Sequence, residues 1–126
     1  VDLIFGETYG LLNNSKFALV TSGTATLETA LFNVPQIVCY KTSFLTYLIA
    51  KTVIKTKYIS LVNILLNRIV VKELIQSQLN TENLKQELDF IINDSTRIYQ
   101  DYKILKKQLN KKDASKKIAE FIYSSI

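Results

Sequence analysis

A short stretch rich in hydroxyl groups follows directly after an apolar run of strand length. The run covers residues 17–21, and Ser22-Gly23-Thr24 comes next, at the start of a helical pattern that carries one acid, Glu28. The first turn of a helix has free N–H groups and about half a positive charge, so it attracts phosphate and other anions. The sequence therefore offers an anion site at this junction of strand and helix.

Each residue of the junction has a chemical role in that hypothesis. Gly23 lets the backbone approach an anion closely, and the hydroxyls of Ser22, Thr24 and Thr26 add hydrogen-bond donors. Glu28 follows one turn later, where its carboxylate accepts hydrogen bonds from sugar hydroxyls. Phosphates on the helix end and a ribose on the acid suit a nucleoside diphosphate. The alternative is that the small residues only cap the helix and that Glu28 is a surface acid.

Other chemistries lack the residues that they need. The chain has no His, its one cysteine, Cys39, lies in an apolar run, and no metal-ligand spacing is present, so we expect neither Ser-His or Cys-His catalysis nor a metal site. The G-x-G-x-x-G and P-loop motifs are missing as well. The acids nearest the junction, Glu28 and Glu73, have no obvious second carboxylate for acid/base work. These features are typical of a binding module without a catalytic base.

The order of apolar patterns predicts the elements that position the junction. Short apolar runs predict strands over 3–5, 17–21, 36–40 and 58–61. Helical spacing, capping residues and Pro35 predict helices over 8–14, 24–32, 43–54 and 70–76, and one that begins at the N-cap Thr81 with Glu82 in its first turn and Leu84, Leu88 and Ile91 on one face. Strands that alternate with helices indicate an α/β fold with a parallel sheet and crossover helices, and ligands bind outside the carboxyl ends of such strands.

The carboxyl-terminal stretch reads as a pair of helices. The first begins at Ser95 and the second at Asp113, and their inner faces carry Ile98, Tyr102, Leu105 and Leu109, and Ile118, Phe121 and Ile122. We place a boundary near Asn93-Asp94. We therefore expect a unit over 1–94 and two helices over 95–126 that pack on it.

Charge is concentrated in this last stretch. The net charge of the 126 residues is +5; residues 1–96 hold eight basic and eight acidic side chains, whereas residues 97–126 hold eight and three. A basic helix attracts nucleic acid or anionic lipid headgroups, and the alternative is a solvated face. The chain has no Met and starts abruptly within an apolar run. From this we expect a fragment of a longer protein.

Three stretches resemble a known enzyme family. They are SGTATLETALFNVPQIVCYK at 22–41, KTKYISLVNILLNRIVVKELIQ at 55–76 and the NTENLKQEL that follows. These are similar to the carboxyl-terminal part of the lipid-A-disaccharide synthases, glycosyltransferase family 19. The resemblance covers nearly the whole chain and implies the donor-binding half of a GT-B glycosyltransferase, a Rossmann-like parallel sheet.

The resemblance also implies a reaction and its setting. Family members transfer 2,3-diacylglucosamine from UDP to 2,3-diacylglucosamine 1-phosphate with inversion, in bacterial lipid A biosynthesis, without a metal or cofactor. They work at the cytoplasmic face of the inner membrane, so we expect peripheral contact with anionic lipid and no nucleic acid partner. The general base is expected in the amino-terminal half. The 126 residues alone should therefore be inactive.

Particular residues inherit roles from the resemblance. The nucleotide-sugar contacts fall on Ser22, Gly23, Thr24, Ala25, Thr26 and Glu28, with a functionally important Asn63 in the loop after the expected third strand and a basic residue at Arg68. The wide apolar arc of the helix over 43–54 has two interpretations. It is either buried against the sheet or part of a surface for acyl chains.

Two other functions remain as alternatives. One is a different GT-B enzyme that uses a UDP-sugar, such as a UDP-sugar 2-epimerase, because it shares the helix end and the ribose-binding acid. The other is a nucleic-acid-binding module that uses the basic tail. The YISLVN element at 58–63 favours the lipid A family over the first, and the neutral charge of residues 1–96 argues against the second.

Overall fold

The structure is a computed structural model, and it describes residues 1–21, 23–53, 57–111, 116, 119–120 and 123. Three parallel strands lie in the order β1-β2-β3. Helices flank the strands, which confirms the predicted α/β architecture. The elements along the chain are α1 Thr8–Asn13, β1 Ala18–Val20, α2 Thr24–Leu31, β2 Gln36–Tyr40, α3 Phe44–Val53, α4 Leu61–Leu66, β3 Lys72–Ile75, a 3-10 turn Gln76–Gln78, α5 Thr81–Asn93 and α6 Thr96–Leu109.

The central strand β2 is covered on both faces. Gln36, Ile37 and Val38 are fully buried. Successive side chains of a strand point to opposite faces, so burial of all three means that both faces of β2 are covered. Helix α2 contacts α4 and α6, and α5 contacts β2 and β3. The core continues into α6 through its buried apolar side chains, Ile98, Tyr102 and Leu105. This burial on both faces is typical of parallel sheets.

Several elements agree with the sequence pattern because their signals are local. Helix α2 ends before Pro35, and Asn33 takes a left-handed φ of 62° at the turn. Ser43 caps α3 by accepting the Thr46 N–H at 3.3 Å, as predicted. The cap of α5 is Asn80, one residue before the predicted Thr81, and Glu82 lies in the first turn. The helix predicted from Asp113 lies largely outside the described residues, and the division at residue 94 stays a prediction.

Two predicted elements are exchanged in the structure. Residues 58–60 form a loop that leads into α4, and the third strand is β3, where a helix was predicted over 70–76. Ser60 begins α4 by accepting the Asn63 N–H. Glu73 accepts the N–H groups of Ile59 and Ser60, so these groups are satisfied by a side chain and not by a neighbouring strand.

The expected strand over 3–5 is also wrong. Leu3 is 81% and Phe5 is 84% exposed, and no strand includes them. A strand needs a hydrogen-bonded neighbour, and the described sheet ends at β1. An apolar run of strand length is therefore not sufficient for a strand.

Candidate functional site

The junction between β1 and α2 is built around Gly23. Its φ of 106° and ψ of −156° lie in a region that favours glycine. A Cβ on Gly23 would meet no atom of the described residues within 4 Å, so the space beside the turn is open. Thr24 is exposed and Ala25 is half-buried, whereas Ser22 lies outside the described residues. Gly23 and Thr24 thus lie at an open helix start, at the carboxyl end of a parallel strand.

Thr26 belongs to the same turn but points inward. Its side chain is fully buried, and its hydroxyl donates to the Gly23 carbonyl at 2.8 Å. The Thr26 oxygen also accepts the Leu61 N–H at 3.3 Å, and its carbonyl accepts from Gln36 at 2.9 Å. The hydroxyl predicted to donate to an anion therefore uses its hydrogen within the turn, and its oxygen joins α2 to α4.

Glu28 lies beside a pocket between α1 and α2. This pocket has a volume of about 480 Å³ and is lined by Glu28 together with Gly6, Glu7, Thr8, Tyr9 and Gly10. The half-buried Glu28 is joined there by Glu7, a second acid that the sequence analysis did not single out. Tyr9 stacks on Phe32 with ring centroids 5.3 Å apart and so joins α1 to the end of α2. The pocket suits a ligand with hydroxyl donors.

Asn63, predicted to contact the nucleotide-sugar, is fully buried. Its Oδ1 accepts the N–H groups of Val70 at 2.7 Å and Val71 at 3.0 Å. Its Nδ2 donates to the Val71 carbonyl at 2.8 Å and to Glu73 at 2.9 Å. Both donors and both lone pairs of the amide are therefore used within the protein. The side-chain amide of Asn63 is therefore fully hydrogen-bonded within the fold, and its predicted contact with the nucleotide-sugar stays a prediction.

Glu73 receives hydrogen bonds from several groups at once. Its Oε1 accepts from the Ser60 N–H at 2.9 Å, the Ser60 hydroxyl at 2.8 Å and Asn63, and its Oε2 accepts the Ile59 N–H at 3.0 Å. We call Ser60, Asn63 and Glu73 the polar clamp. The clamp joins the start of α4 to β3. The sequence analysis considered Glu73 as an acid near the site. In the structure, its carboxylate accepts hydrogen bonds from neighbouring parts of the fold.

Arg68 follows α4 and forms an ion pair with Asp101 of α6. The Arg68 side chain is 40% exposed and that of Asp101 is 6% exposed. The second carboxylate oxygen of Asp101 is buried and has no hydrogen-bond partner in the described part of the chain. Arg68 therefore compensates a nearly buried charge, and the guanidinium predicted to bind the ligand is engaged with α6.

A second pocket lies at the carboxyl ends of β2 and β3. Its volume is about 660 Å³, and its lining includes Lys41, Phe44, Tyr47, Ile75 and Gln76. Gln76 has a left-handed φ of 54°, and its amide accepts the Thr42 N–H at 2.8 Å and donates to the Thr42 carbonyl at 3.1 Å. This double hydrogen bond fixes Gln76 in the lining of the pocket, which also includes a lysine and two aromatic rings.

The apolar face of α3 adjoins this second pocket. We give this name to Phe44, Leu45, Leu48 and Ile49, which are 75%, 68%, 47% and 56% exposed. The interpretation of α3 as a helix buried against the sheet is wrong for these side chains. Large exposed apolar patches mark interaction surfaces.

Three further features concern metals, membranes and the one cysteine. Among the described residues, no group of three or more Cys, Asp or Glu side chains is arranged to hold a metal ion. No helix in the part of the chain that the structure covers has the length and apolar character needed to span a bilayer. Burial raises the pKa of the Cys39 thiol above its ordinary value, which disfavours the reactive thiolate.

Comparison with known proteins gives a consistent set of matches. The profile of a family described as lipid-A-disaccharide synthetase matches residues 1–124. A lipid-A-disaccharide synthase of Syntrophus aciditrophicus is 45% identical over 97 residues, which are 77% of this chain and 25% of that protein. Proteins of the same name from Chromobacterium violaceum and Persephonella marina are 45% and 36% identical over 92 and 120 residues, which are 73% and 91% of this chain and 24% and 31% of theirs. The chain spans about a quarter of the length of the first two relatives.

Proposed function

The chain belongs to the lipid-A-disaccharide synthetase family, and from that membership we propose that it is the part of such an enzyme that binds the UDP-sugar donor. The observation that carries the proposal is the pairing of the open Gly23 turn with the pocket beside Glu28 on the same helix. In our proposal the enzyme transfers 2,3-diacylglucosamine from UDP to 2,3-diacylglucosamine 1-phosphate. The family match favours this reaction over that of a UDP-sugar 2-epimerase.

The two parts of the site would bind different parts of UDP. The first N–H groups of α2 and the helix dipole attract the diphosphate to the turn at Gly23 and Thr24. The pocket with Glu7 and Glu28 accepts hydrogen bonds from the ribose hydroxyls. Because the two carboxylates would repel phosphate, UDP would bind with its ribose in this pocket and its diphosphate at the Gly23 turn.

The catalytic contribution of this part is electrostatic. As the bond between sugar and phosphate breaks, negative charge accumulates on the departing UDP, and fixed N–H dipoles at the helix start stabilise it. A base that activates the acceptor hydroxyl would come from another part of the enzyme, and the transfer would invert the anomeric centre. In our proposal residues 1–126 therefore bind UDP but do not turn over substrate alone.

A titration with UDP tests this assignment. We expect UDP at millimolar concentration to shift the amide signals of Gly23, Thr24 and Glu28 in a ¹⁵N NMR spectrum of the chain. Glu28→Gln should weaken binding about tenfold, because hydrogen bonds to a charged group contribute about 1.5–3 kcal/mol. Glu82→Gln, an exposed acid in the first turn of α5, is the matched control and should leave UDP binding unchanged. Shifts that are absent from α2, or equal losses in both variants, would contradict the proposal.

The proposed substrates carry acyl chains, and this gives the exposed apolar side chains of α3 a function in our proposal. We propose that its apolar face and the pocket beside Lys41 receive acyl chains at the membrane surface, on the cytoplasmic face of the inner membrane. Each Lys or Arg near an anionic surface adds about 1 kcal/mol of attraction, which the basic residues 97–126 would supply.

Vesicle co-sedimentation tests this membrane contact. The chain should sediment with anionic vesicles more than with zwitterionic vesicles, and combined Phe44→Ser and Leu45→Ser should reduce sedimentation with both. Tyr99→Ser and Ile104→Ser on α6, where Tyr99 is 37% and Ile104 is 46% exposed, are the control. Binding that ignores lipid charge, or that the α6 control reduces as strongly, would count against contact through α3.

A further inference from the structure

The polar clamp fixes the position of helix α4. Asn63 joins the first turn of α4 to the backbone of Val70 and Val71, and Glu73 joins the same turn to β3. Ser60 contributes its hydroxyl, which donates to Glu73 and accepts the Asn63 N–H. These hydrogen bonds are largely buried, so water competes little with them, and they hold the start of the helix in one place.

A second set of hydrogen bonds continues from α4 to the proposed diphosphate site. Leu61, the first residue of α4, donates its N–H to the Thr26 hydroxyl oxygen at 3.3 Å. The same hydroxyl donates to the Gly23 carbonyl at 2.8 Å, and the Thr26 N–H reaches that carbonyl at 3.2 Å. Gly23 has a glycine-specific conformation, and its carbonyl is held through Thr26. The position of α4 therefore bears on the geometry of the turn.

We propose that Asn63 is a positioning residue for the donor site and acts on the Gly23 turn through α4 and Thr26, not by contact with the ligand. The inference rests on the proposed function for its link to UDP. Asn63 is fully buried with all its hydrogen-bonding groups used, and Leu61 and Thr26 join it to Gly23. A loss of UDP affinity in an Asn63 variant would then arise from a displaced Gly23 amide.

The decisive experiment is a double-mutant cycle in the 126-residue chain, read by NMR signals of the folded state. Asn63→Asp keeps an acceptor for Val70 and Val71 but removes the amide hydrogens that donate to the Val71 carbonyl and to Glu73, and it places a second carboxylate beside Glu73. Thr26→Val keeps the shape of the side chain and removes the hydroxyl. We expect each variant to weaken UDP binding about three- to tenfold, the fold-change that corresponds to one hydrogen bond.

The combination of the two changes separates positioning from direct contact. Once Thr26→Val has broken the connection, Asn63→Asp should weaken UDP binding no further. If the two residues contacted the ligand independently, the double variant would weaken UDP binding by the product of the two single fold-changes. That result would overturn the proposal. Thr26→Ser restores the hydroxyl and should recover most of the affinity that Thr26→Val loses.

Two readouts separate positioning from a general loss of stability. In the free protein, Asn63→Asp and Thr26→Val should shift the Gly23 amide signal, and Thr26→Val should speed exchange of the Leu61 amide hydrogen. Ile91→Ala is the control, because it opens a cavity in the core beneath α5, which packs on β2 and β3. It should lower stability while leaving the Gly23 signal and the UDP affinity of the folded protein unchanged.

The outcomes also separate this inference from the proposed function. If the unaltered chain does not bind UDP, the proposed function fails, and the Gly23 signal in the free variants still decides the positioning role. If Asn63→Asp does not fold, Ser60→Ala loosens the same clamp by removing one hydroxyl. An unmoved Gly23 signal in the folded clamp variant would overturn the inference.

Discussion

Helices α3 and α4 follow each other along the chain, yet α4 buries polar side chains whereas α3 exposes apolar ones. At the start of α4, the polar side chains of Ser60 and Asn63 are fully buried beside the apolar Leu61 and Val62. The face of α3 is apolar, and Phe44 and Leu45 there are 75% and 68% exposed. Both helices connect β2 to β3. The difference between them therefore does not come from their place in the topology.

The comparison shows what decides burial in this part of the fold. A polar side chain can be buried when each of its groups finds a partner, and Asn63 meets this condition with backbone groups near β3. An apolar side chain is buried only where another surface covers it. Hydrogen bonds thus hold α4 in the core together with the buried Leu61 and Val62, whereas α3 has exposed apolar side chains that suit the lipid contact that we propose.

The largest expected effect is the loss of the polar clamp. Asn63→Ala would leave the N–H groups of Val70 and Val71 and one carbonyl without partners inside the protein. Each buried group left unsatisfied costs about 1–3 kcal/mol, so we expect a loss of about 3–5 kcal/mol in the free energy of unfolding. Urea denaturation followed by circular dichroism measures this change.

An exposed asparagine supplies the control for that measurement. Asn93 lies in the last turn of α5 and is exposed, so Asn93→Ala should change stability by less than about 0.5 kcal/mol. Equal effects of the two substitutions would show that the hydrogen bonds of Asn63 do not stabilise the fold. The contrast between α3 and α4 would then lose its explanation.

The ion pair that follows α4 should have an intermediate effect. Arg68→Ala removes the partner of Asp101, whose side chain is only 6% exposed and already has one unpaired oxygen in the described structure. Because the Arg68 side chain is 40% exposed, water screens part of the interaction, and we expect a loss of about 1–2 kcal/mol. Thermal denaturation at neutral pH measures this change.

The only other arginine of the chain provides a matched substitution. Arg97 is exposed near the start of α6, and Arg97→Ala should have almost no effect on the melting temperature. A second test adds Asp101→Asn to Arg68→Ala, which removes the uncompensated charge and should recover part of the stability. If Asp101→Asn lowers stability further, burial of an unpaired charge is not the cause of the loss.

These two regions also explain which parts of the fold were predictable from sequence. The helices α2, α5 and α6 and the strand β2 carry their signals locally, in apolar spacing, in capping residues and in Pro35. The exchange of β3 and α4 depends on side chains distant in sequence, since Glu73 binds the backbone of Ile59 and Ser60. A pattern read along the chain does not contain that information.

The same reasoning applies to the candidate site. Gly23 and Glu28 were identified from their spacing, and the structure places Gly23 at an open turn and Glu28 beside a pocket. Asn63, Arg68 and Thr26 have residue types suited to ligand binding, but their hydrogen bonds within the protein are visible only in three dimensions. Residue type shows what a side chain can bind, and the fold determines whether its groups are free.

The smallest expected effect concerns α3. Combined Phe44→Ser, Leu45→Ser and Leu48→Ser should change the free energy of unfolding by less than about 1 kcal/mol, because these side chains are already largely in water. Leu74→Ser in β3 is the matched change in the core, where the leucine is 2% exposed, and it should cost about 3 kcal/mol or more. A large loss from the α3 triple would show that its face is covered in solution. A small loss together with weaker vesicle binding would mean that α3 retains exposed apolar side chains for contact with lipid and not for stability.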